Sequence, residues 1–521
     1  MFKSASDSVR QAYGVAQSVD ALSAPDARKT LRANIAAGVR WGMLISVVTQ
    51  VTRIAVGVVL AHLLTPGDYG LAAMAFVCGS FVLTLSDASL GKALVQRPSI
   101  DELDRSTVFW ATVAIGLVLT TVGVAASGTL AHLFHQPRLQ PLVAVLSISF
   151  FLVSLQMTQV SLFQREMMFK ATTLRLITSA LVSAAVGVAI AAMGGGAWAL
   201  IVQQVTLVAV STLLLWVLSP WRPRLIFSWS RLKTLSHFGL GLMGSRLLDD
   251  VNTNADNMLI GRFLGSAALG AYSIAYNLMT LPLMRVIIPI QDTLFPAYAR
   301  MQDDLSRVRS LWLRTTVIVV SVVAPVMVGV AVVAPEFVRL ALGTRWTAAV
   351  PVLRILAPLA VAQTLSALAA TTLTARGRTT TLFRFSVANT ALVIPAFIIG
   401  LQWGIVGVAA AYACVVLPMA ALLVGVAARE LGSSSREVIR SLKGPCEAVA
   451  SLAVATLLAE WLLSRSGLPA YVELLLVVVV GASVYVPICV ARIAAVRSEL
   501  KRLRMRRDVL TLPEPSVAGA D

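Results

Sequence analysis

The stretch GSRLLDDVNTNADNMLIGR, residues 244–262, holds three aspartates, three asparagines and two arginines. Set out at 100° per residue, Arg246, Asp249, Asp250, Thr253, Asp256 and Asn257 share one helical face, with Asn252 and Asn254 at its flanks. Two kinds of chemistry suit such a face. An arginine offers a planar fork of donors that matches phosphate oxygens. A carboxylate shielded from bulk water can take up and release a proton, or ligate a sodium ion. Internal pairing is the plainer alternative, with Arg246 bridging Asp249 or Asp250 one turn on. Three acids exceed what one such bridge uses.

Other charges sit in equally apolar surroundings. Arg53 lies in QVTRIAVG, Asp87 and Lys92 in SDASLGKALVQR, and Arg285 in PLMRVIIPIQD. Arg53, Arg246, Arg285 and Lys92 are therefore the candidates for holding an anionic, phosphate-bearing head group. Asp249, Asp250, Asn252, Asn254, Asp256, Asn257 and Asp87 are the candidates for the polar lining of a cavity and for ion coupling. Catalysis is not expected. The four cysteines (Cys78, Cys414, Cys446, Cys489) and four histidines (His62, His132, His135, His237) are scattered, with no CxxC and no metal-ligand spacing. There is no Walker A motif. No cofactor is expected beyond a coupling ion, a proton or sodium.

The elements that carry these residues are membrane helices. The chain is 57% hydrophobic and 13% charged, with a mean hydropathy of +0.82. Soluble domains run at about 45–50% and about 25%. Apolar runs long enough to cross a bilayer recur from residue 39 to residue 491, and we read fourteen of them. The polar stretch falls in the seventh, and each charge at the bilayer centre costs about 2.5 kcal/mol or more. Its polar face must look onto protein or water. Of the 43 Lys and Arg, 34 fall in segments on the N-terminal side of the membrane, 6 in loops on the other side, and three (Arg53, Arg246, Arg285) within spans. That bias puts both termini in the cytoplasm. It also accounts for the net charge of +18 without nucleic acid. The N-terminus has no apolar run of the signal-peptide kind, and the basic tail suits anionic head groups.

Two halves of the chain resemble each other. LAHLLTPGDYGLAAMAF (60–76) aligns without a gap on IGRFLGSAALGAYSIAY (260–276), at an offset of 200. FQREMMFKATTLRL (163–176) resembles TARGRTTTLFRFSV (374–387), and GGGAWALIVQQ (194–204) resembles WGIVGVAAAYA (403–413). The order of the matches implies two parallel six-helix lobes, helices 1–6 and 7–12, with helices 13 and 14 added. The expected organisation is a cytoplasmic extension (1–38), an N-lobe (39–219), an inter-lobe loop (220–235), a C-lobe (236–428), helices 13–14 (444–491) and a basic tail (492–521). In two-lobed transporters of this kind the substrate site lies between the lobes.

The ordered set LLTPGDYGLAAMAF, SDASLGKALVQRP, FQREMMFK, GGGAWALIVQQ, DNMLIGRFLGSAALGAYSIAYNLMTLPL and FPAYARMQDD resembles the polysaccharide transporter (oligosaccharide flippase) family, in its lipopolysaccharide and exopolysaccharide exporter branch. That family lies in the multidrug/oligosaccharidyl-lipid/polysaccharide exporter superfamily. The resemblance covers residues 36–430 and departs from the family pattern at Ser89 and Lys92. It implies an all-α polytopic protein of the bacterial inner membrane that flips an oligosaccharide unit on undecaprenyl diphosphate by alternating access. It implies a lipid-linked oligosaccharide as partner, with a polysaccharide polymerase and a chain-length regulator alongside. A cation-coupled multidrug exporter and a lipid II flippase of the same superfamily are the alternative readings. A membrane-bound enzyme ranks last, since external loops are short.

Overall fold

The computed structural model describes residues 48–86, 91, 94–95, 97, 99–166, 168–282, 286–301, 304–493 and 497. Every regular element among them is a helix. In chain order these are α1 (Val48–Leu63), α2 (Pro66–Ser86), α3 (Glu102–Leu133), α4 (Leu139–Arg165), α5 (Phe169–Ala192), α6 (Trp198–Leu218), α7 (Trp229–Phe263) and α8 (Ser266–Pro282). There follow α9 (Ile288–Arg300), α10 (Leu305–Val332), α11 (Ala334–Ala341), α12 (Ala349–Ala375), α13 (Thr379–Gly400), α14 (Gly404–Glu430), α15 (Ser435–Leu463) and α16 (Ala470–Arg492). The all-α polytopic expectation holds.

A described helix lies over each of the fourteen expected spans. Nine segments among the described residues are long and apolar enough to cross a membrane by length and composition. One of them, Thr379–Glu430, is counted as a single stretch of 52 residues. A helix of that length would run about 78 Å, over twice the roughly 30 Å hydrocarbon core. It is broken at a 3-10 turn, Leu401–Trp403, followed by Gly404 at φ +68°. Gly404 is glycine because an L side chain avoids that φ. Gly400 and Gly407 then let α13 and α14 meet backbone to backbone, since a Cβ on Gly400 would lie 2.6 Å from the Gly407 carbonyl.

The eighth span, expected over 269–295, is described as α8 and α9, and residues 283–285 between them lie outside the described residues. Pro289 sits in the first turn of α9, where a proline is tolerated. One element differs from the sequence expectation. The seventh helix begins at Trp229, inside the segment expected as inter-lobe loop. At 35 residues α7 is about 52 Å long.

The chain divides into two compact units. One comprises Cys78–His132 and Gln136–Val251 with the segment up to Leu63; the other comprises Leu64–Val77, Leu133–His135 and the chain from Asn252 on. In the first unit, α3 and α4 approach through small residues. A Cβ on Gly116 would fall on the Ser154 side chain, and one on Gly123 on that of Ser147. Those serines are buried and turn their hydroxyls back to their own helix, Ser154 to the Phe151 carbonyl and Ser147 to that of Val143. Close packing of small residues is what holds membrane helices together where lipid removes the hydrophobic drive. Gly116→Leu should cost about 1–3 kcal/mol through overpacking, read as a lower melting temperature in detergent.

The same unit clamps residues 219–228. Trp221 donates to Glu102, Arg224 N–H to the Ser106 hydroxyl, Ser228 N–H to that of Thr107, and Trp110 donates to the Arg224 carbonyl. Beside this clamp Asp104, 2% exposed, meets Arg97 at 3.4 Å and Arg231 at 3.3 Å. Arg231 also reaches Asp101, whose carboxyl is held below its ordinary range by the Asp104 backbone N–H and by that guanidinium.

In the second unit, the N-terminal turns of α2 and α8 make a reciprocal contact. A Cβ on Gly70 would land on the carbonyl of Ser266, and one on Gly270 on that of Pro66. These residues are partners at the 200-residue offset, 70 with 270 and 66 with 266. Thr65 and Asp68 fix the start of α2. Asp68 accepts from the Thr65 N–H at 3.0 Å, while the Thr65 hydroxyl accepts from the Asp68 N–H at 3.3 Å. This is a reciprocal capping box with Pro66 in the first turn. Tyr69 then meets Trp346 edge to face at 5.0 Å.

Candidate functional site

α7 carries the polar face into the second unit. Asp250, Asn252, Asn254 and Asn257 are half-buried, Thr253 is exposed, and Asp256 is 2% exposed. The single face drawn from periodicity is thus divided by its surroundings, because Asp256 turns into the interior of the unit. The Tyr272 hydroxyl on α8 donates to Asp256 Oδ2 at 2.9 Å. The Asn257 backbone N–H donates to Oδ1 at 2.7 Å. No basic side chain pairs with Asp256 among the described residues.

Around this carboxylate lies a phenol cage. Tyr272 and Tyr276, one turn apart on α8, stack with ring centroids 6.1 Å apart. Tyr276 pairs with the hydroxyl of Tyr412 on α14, and that hydroxyl also accepts from Gln363 Nε2 on α12 at 2.8 Å. Phe397 on α13 closes the far side of Tyr412 at 5.5 Å. Four helices therefore converge on one acid through three phenols and an amide. Tyr272 is fully buried, so its hydroxyl needs a partner, and Asp256 is that partner. The Asn257 side-chain oxygen is buried without a hydrogen-bond partner.

Such a cage can hold a proton. A carboxyl group can donate to a phenol oxygen when protonated and accept from the same hydroxyl when ionised, with no rearrangement of heavy atoms. Among the described residues no group of three or more His, Cys, Asp or Glu could hold a metal ion.

The remaining candidates fall in several places. Arg53 is exposed on α1. Arg246 and Asp249 lie on the helical backbone of α7, with side chains outside the described residues. Asp87, Lys92 and Arg285 lie wholly outside them, as do the extension 1–38 and most of the basic tail. Tyr272, Tyr276, Tyr412 and Gln363 were not among the residues singled out from sequence. The signal available was the one-turn spacing of the two tyrosines in GAYSIAYNL, seven positions of which lie in the repeat match.

The fold is that of an all-α protein with several helices long and apolar enough to cross a membrane. It is similar to the solved lipid II flippase MurJ in its inward closed conformation, with a TM-score of 0.67 at 15% identity, over 86% of this chain and 98% of that one. It is similar also to an inward-facing multidrug resistance MATE transporter, with a TM-score of 0.60 at 13% identity, over 74% and 94%. At those identities the likeness is one of fold. The chain belongs to the family described as "Polysaccharide biosynthesis protein", which matches residues 59–351. Its relatives include the lipopolysaccharide biosynthesis protein WzxC of Escherichia coli, 29% identical over 79% of this chain and 85% of that protein. The succinoglycan biosynthesis transport protein ExoT of Rhizobium meliloti is 29% identical over 63% and 66%. The family resemblance read from the ordered motifs is borne out.

Proposed function

We propose that the protein flips an oligosaccharide unit carried on undecaprenyl diphosphate across the bacterial cytoplasmic membrane, for lipopolysaccharide or exopolysaccharide synthesis. The observation that carries this reading is the match along 85% of a lipopolysaccharide biosynthesis protein, over 421 residues, which is longer than either half of the internal repeat. The physics agrees. A sugar diphosphate cannot cross hydrocarbon unaided, while a polytopic helical fold with charges in its spans can shelter it. In this reading Arg53, Arg246, Arg285 and Lys92 meet the diphosphate. Asp87, Asp249 and Asp250, with Asn252, Asn254 and Asn257, supply polar lining. Asp256 in its phenol cage takes the coupling ion, for which the donor set suits a proton better than sodium. Lobes at 39–219 and 236–428 alternate between two openings, both termini stay in the cytoplasm, and a polymerase and a chain-length regulator take over the product outside.

The test uses a deletion strain complemented with wild type or Arg246→Ala, with surface polysaccharide and lipid-linked oligosaccharide measured. Wild type restores the polymer. Arg246→Ala is expected to leave the lipid-linked unit trapped on the inner leaflet. Rescue by both proteins would reduce Arg246 to an internal ion pair. Normal polymer with new drug sensitivity in the deletion strain would replace the flippase with a multidrug exporter, and arrest of cell-wall synthesis would replace it with a lipid II flippase.

A further inference from the structure

At one end of the second unit, α11, the last turns of α15 and the first turns of α16 enclose a cavity of about 400 Å³. Three carboxylates line it, Glu336 from α11, Glu460 from α15 and Glu473 from α16, beside Trp461 and apolar walls. The cavity rests on a buried apolar cluster of Val333, Ala459 and Val477. Glu460 has a loose ion pair, 3.9 Å from Arg354. Glu336 and Glu473 have no ion pair among the described residues. The Oε2 atom of Glu336 is buried without a hydrogen-bond partner, and a buried acceptor of that kind calls for a donor from outside the chain. Next to the cavity, the Arg465 guanidinium lies 3.8 Å over the Trp461 ring. The outer surface around it is apolar, with Leu458, Leu462, Tyr471 and Leu475 exposed. By the charge bias of the loops, this end of the helices is external.

Each feature matches one part of a single ligand. Unpaired carboxylates want a cation with several N–H donors. An exposed guanidinium wants an oxyanion. Exposed leucines beside them want hydrocarbon. A lone metal ion would leave the apolar walls and the arginine without a role. We propose that this cavity seats the head group of a phospholipid bearing a primary ammonium, phosphatidylethanolamine, in the outer leaflet. The ammonium meets Glu336 and Glu473, the phosphate meets Arg465, and the acyl chains lie along α15 and α16. This site stands apart from the phenol cage and does not depend on what the protein transports.

The test reconstitutes the full-length protein in nanodiscs of equal phosphatidylethanolamine and phosphatidylglycerol, and reads retained lipid by native mass spectrometry. Wild type is expected to retain phosphatidylethanolamine by roughly fivefold over phosphatidylglycerol, the scale of one partly exposed ion pair. Glu336→Gln/Glu473→Gln, of nearly unchanged volume, is expected to lose the preference. Glu473→Gln alone reads the same preference at a half-buried position should the double variant fold poorly. Equal retention of both lipids by wild type, or an unchanged preference in the variants, overturns the proposal. So does a protein adduct formed in cells by a Ser464→Cys variant at the cavity wall, which would make the occupant a basic polypeptide.

Discussion

An Asp256→Asn variant reaches the membrane at close to the wild-type level and fails to export. The geometry explains both halves of that expectation. Asparagine has the size of aspartate and keeps one carbonyl oxygen for the Asn257 N–H. Its amide donates to Tyr272, whose hydroxyl turns to accept. The cage keeps its heavy-atom contacts and loses only the acceptor for the Tyr272 hydroxyl hydrogen, so the fold survives. What is lost is the ability to exchange a proton, and with it the step at which the proposed coupling ion binds and leaves. Surface polysaccharide should fall by roughly tenfold or more, a change that needs only about 1.4 kcal/mol on the transport barrier. Tyr272→Phe separates the two roles from the other side. It keeps the acid and leaves it short of a donor in a buried place, at a cost of about 1–3 kcal/mol. That variant should show reduced abundance with residual export. Full export by Asp256→Asn, measured as surface polymer per copy of protein, would make Asp256 a structural acceptor and nothing more.

Gly70→Val and Gly270→Val each abolish export, and the double variant is scarcely worse than either single one. The contact they break is backbone on backbone, between Pro66 and Gly270 and between Ser266 and Gly70. No flexible side chain stands there to give way. Overpacking in a well-packed interior costs about 1–3 kcal/mol, sometimes more, and here the only relief is separation of α2 from α8. Once one valine has parted the helices, the second finds room already made. The two costs are therefore strongly non-additive, as expected for residues in direct contact. Thermal denaturation of the purified single and double variants checks this. Independent, additive losses would show that the two glycines do not share one contact.

Much of this architecture was legible in advance, for identifiable reasons. Membrane helices announce themselves because the bilayer demands an unbroken apolar run. The repeat could be read because LAHLLTPGDYGLAAMAF and IGRFLGSAALGAYSIAY keep their register at a fixed offset, and the close contact of Gly70 with Gly270 explains why glycine stands at both places. The phenol cage was not legible. Tyr272 is 16 residues from Asp256, across the turn at Gly265, and Tyr412 lies on a helix more than 130 residues further on. Single tyrosines in apolar helices look alike whether they face lipid or a buried acid. The clamp on residues 219–228 was hidden for a related reason. It is made of side-chain bonds to a backbone without regular structure, and only the tertiary fold brings Glu102, Ser106 and Thr107 to it. Periodicity also overstated the unity of the polar face on α7. It ranks Thr253 and Asp256 together, whereas their neighbours leave one exposed and bury the other.

At the 200-residue offset, Asp256, Tyr272 and Tyr276 correspond to Val56, Ala72 and Phe76. The glycines survive at both places, while the acid and both phenols occur in one copy alone. The two halves have thus stopped being interchangeable. A hybrid chain given valine, alanine and phenylalanine at positions 256, 272 and 276 would keep the glycine contact of α2 with α8 and lose the acid and two of the three phenols of the cage, leaving Tyr412 alone. The close glycine contact is thus drawn from both copies of the repeat, and the buried acid from one.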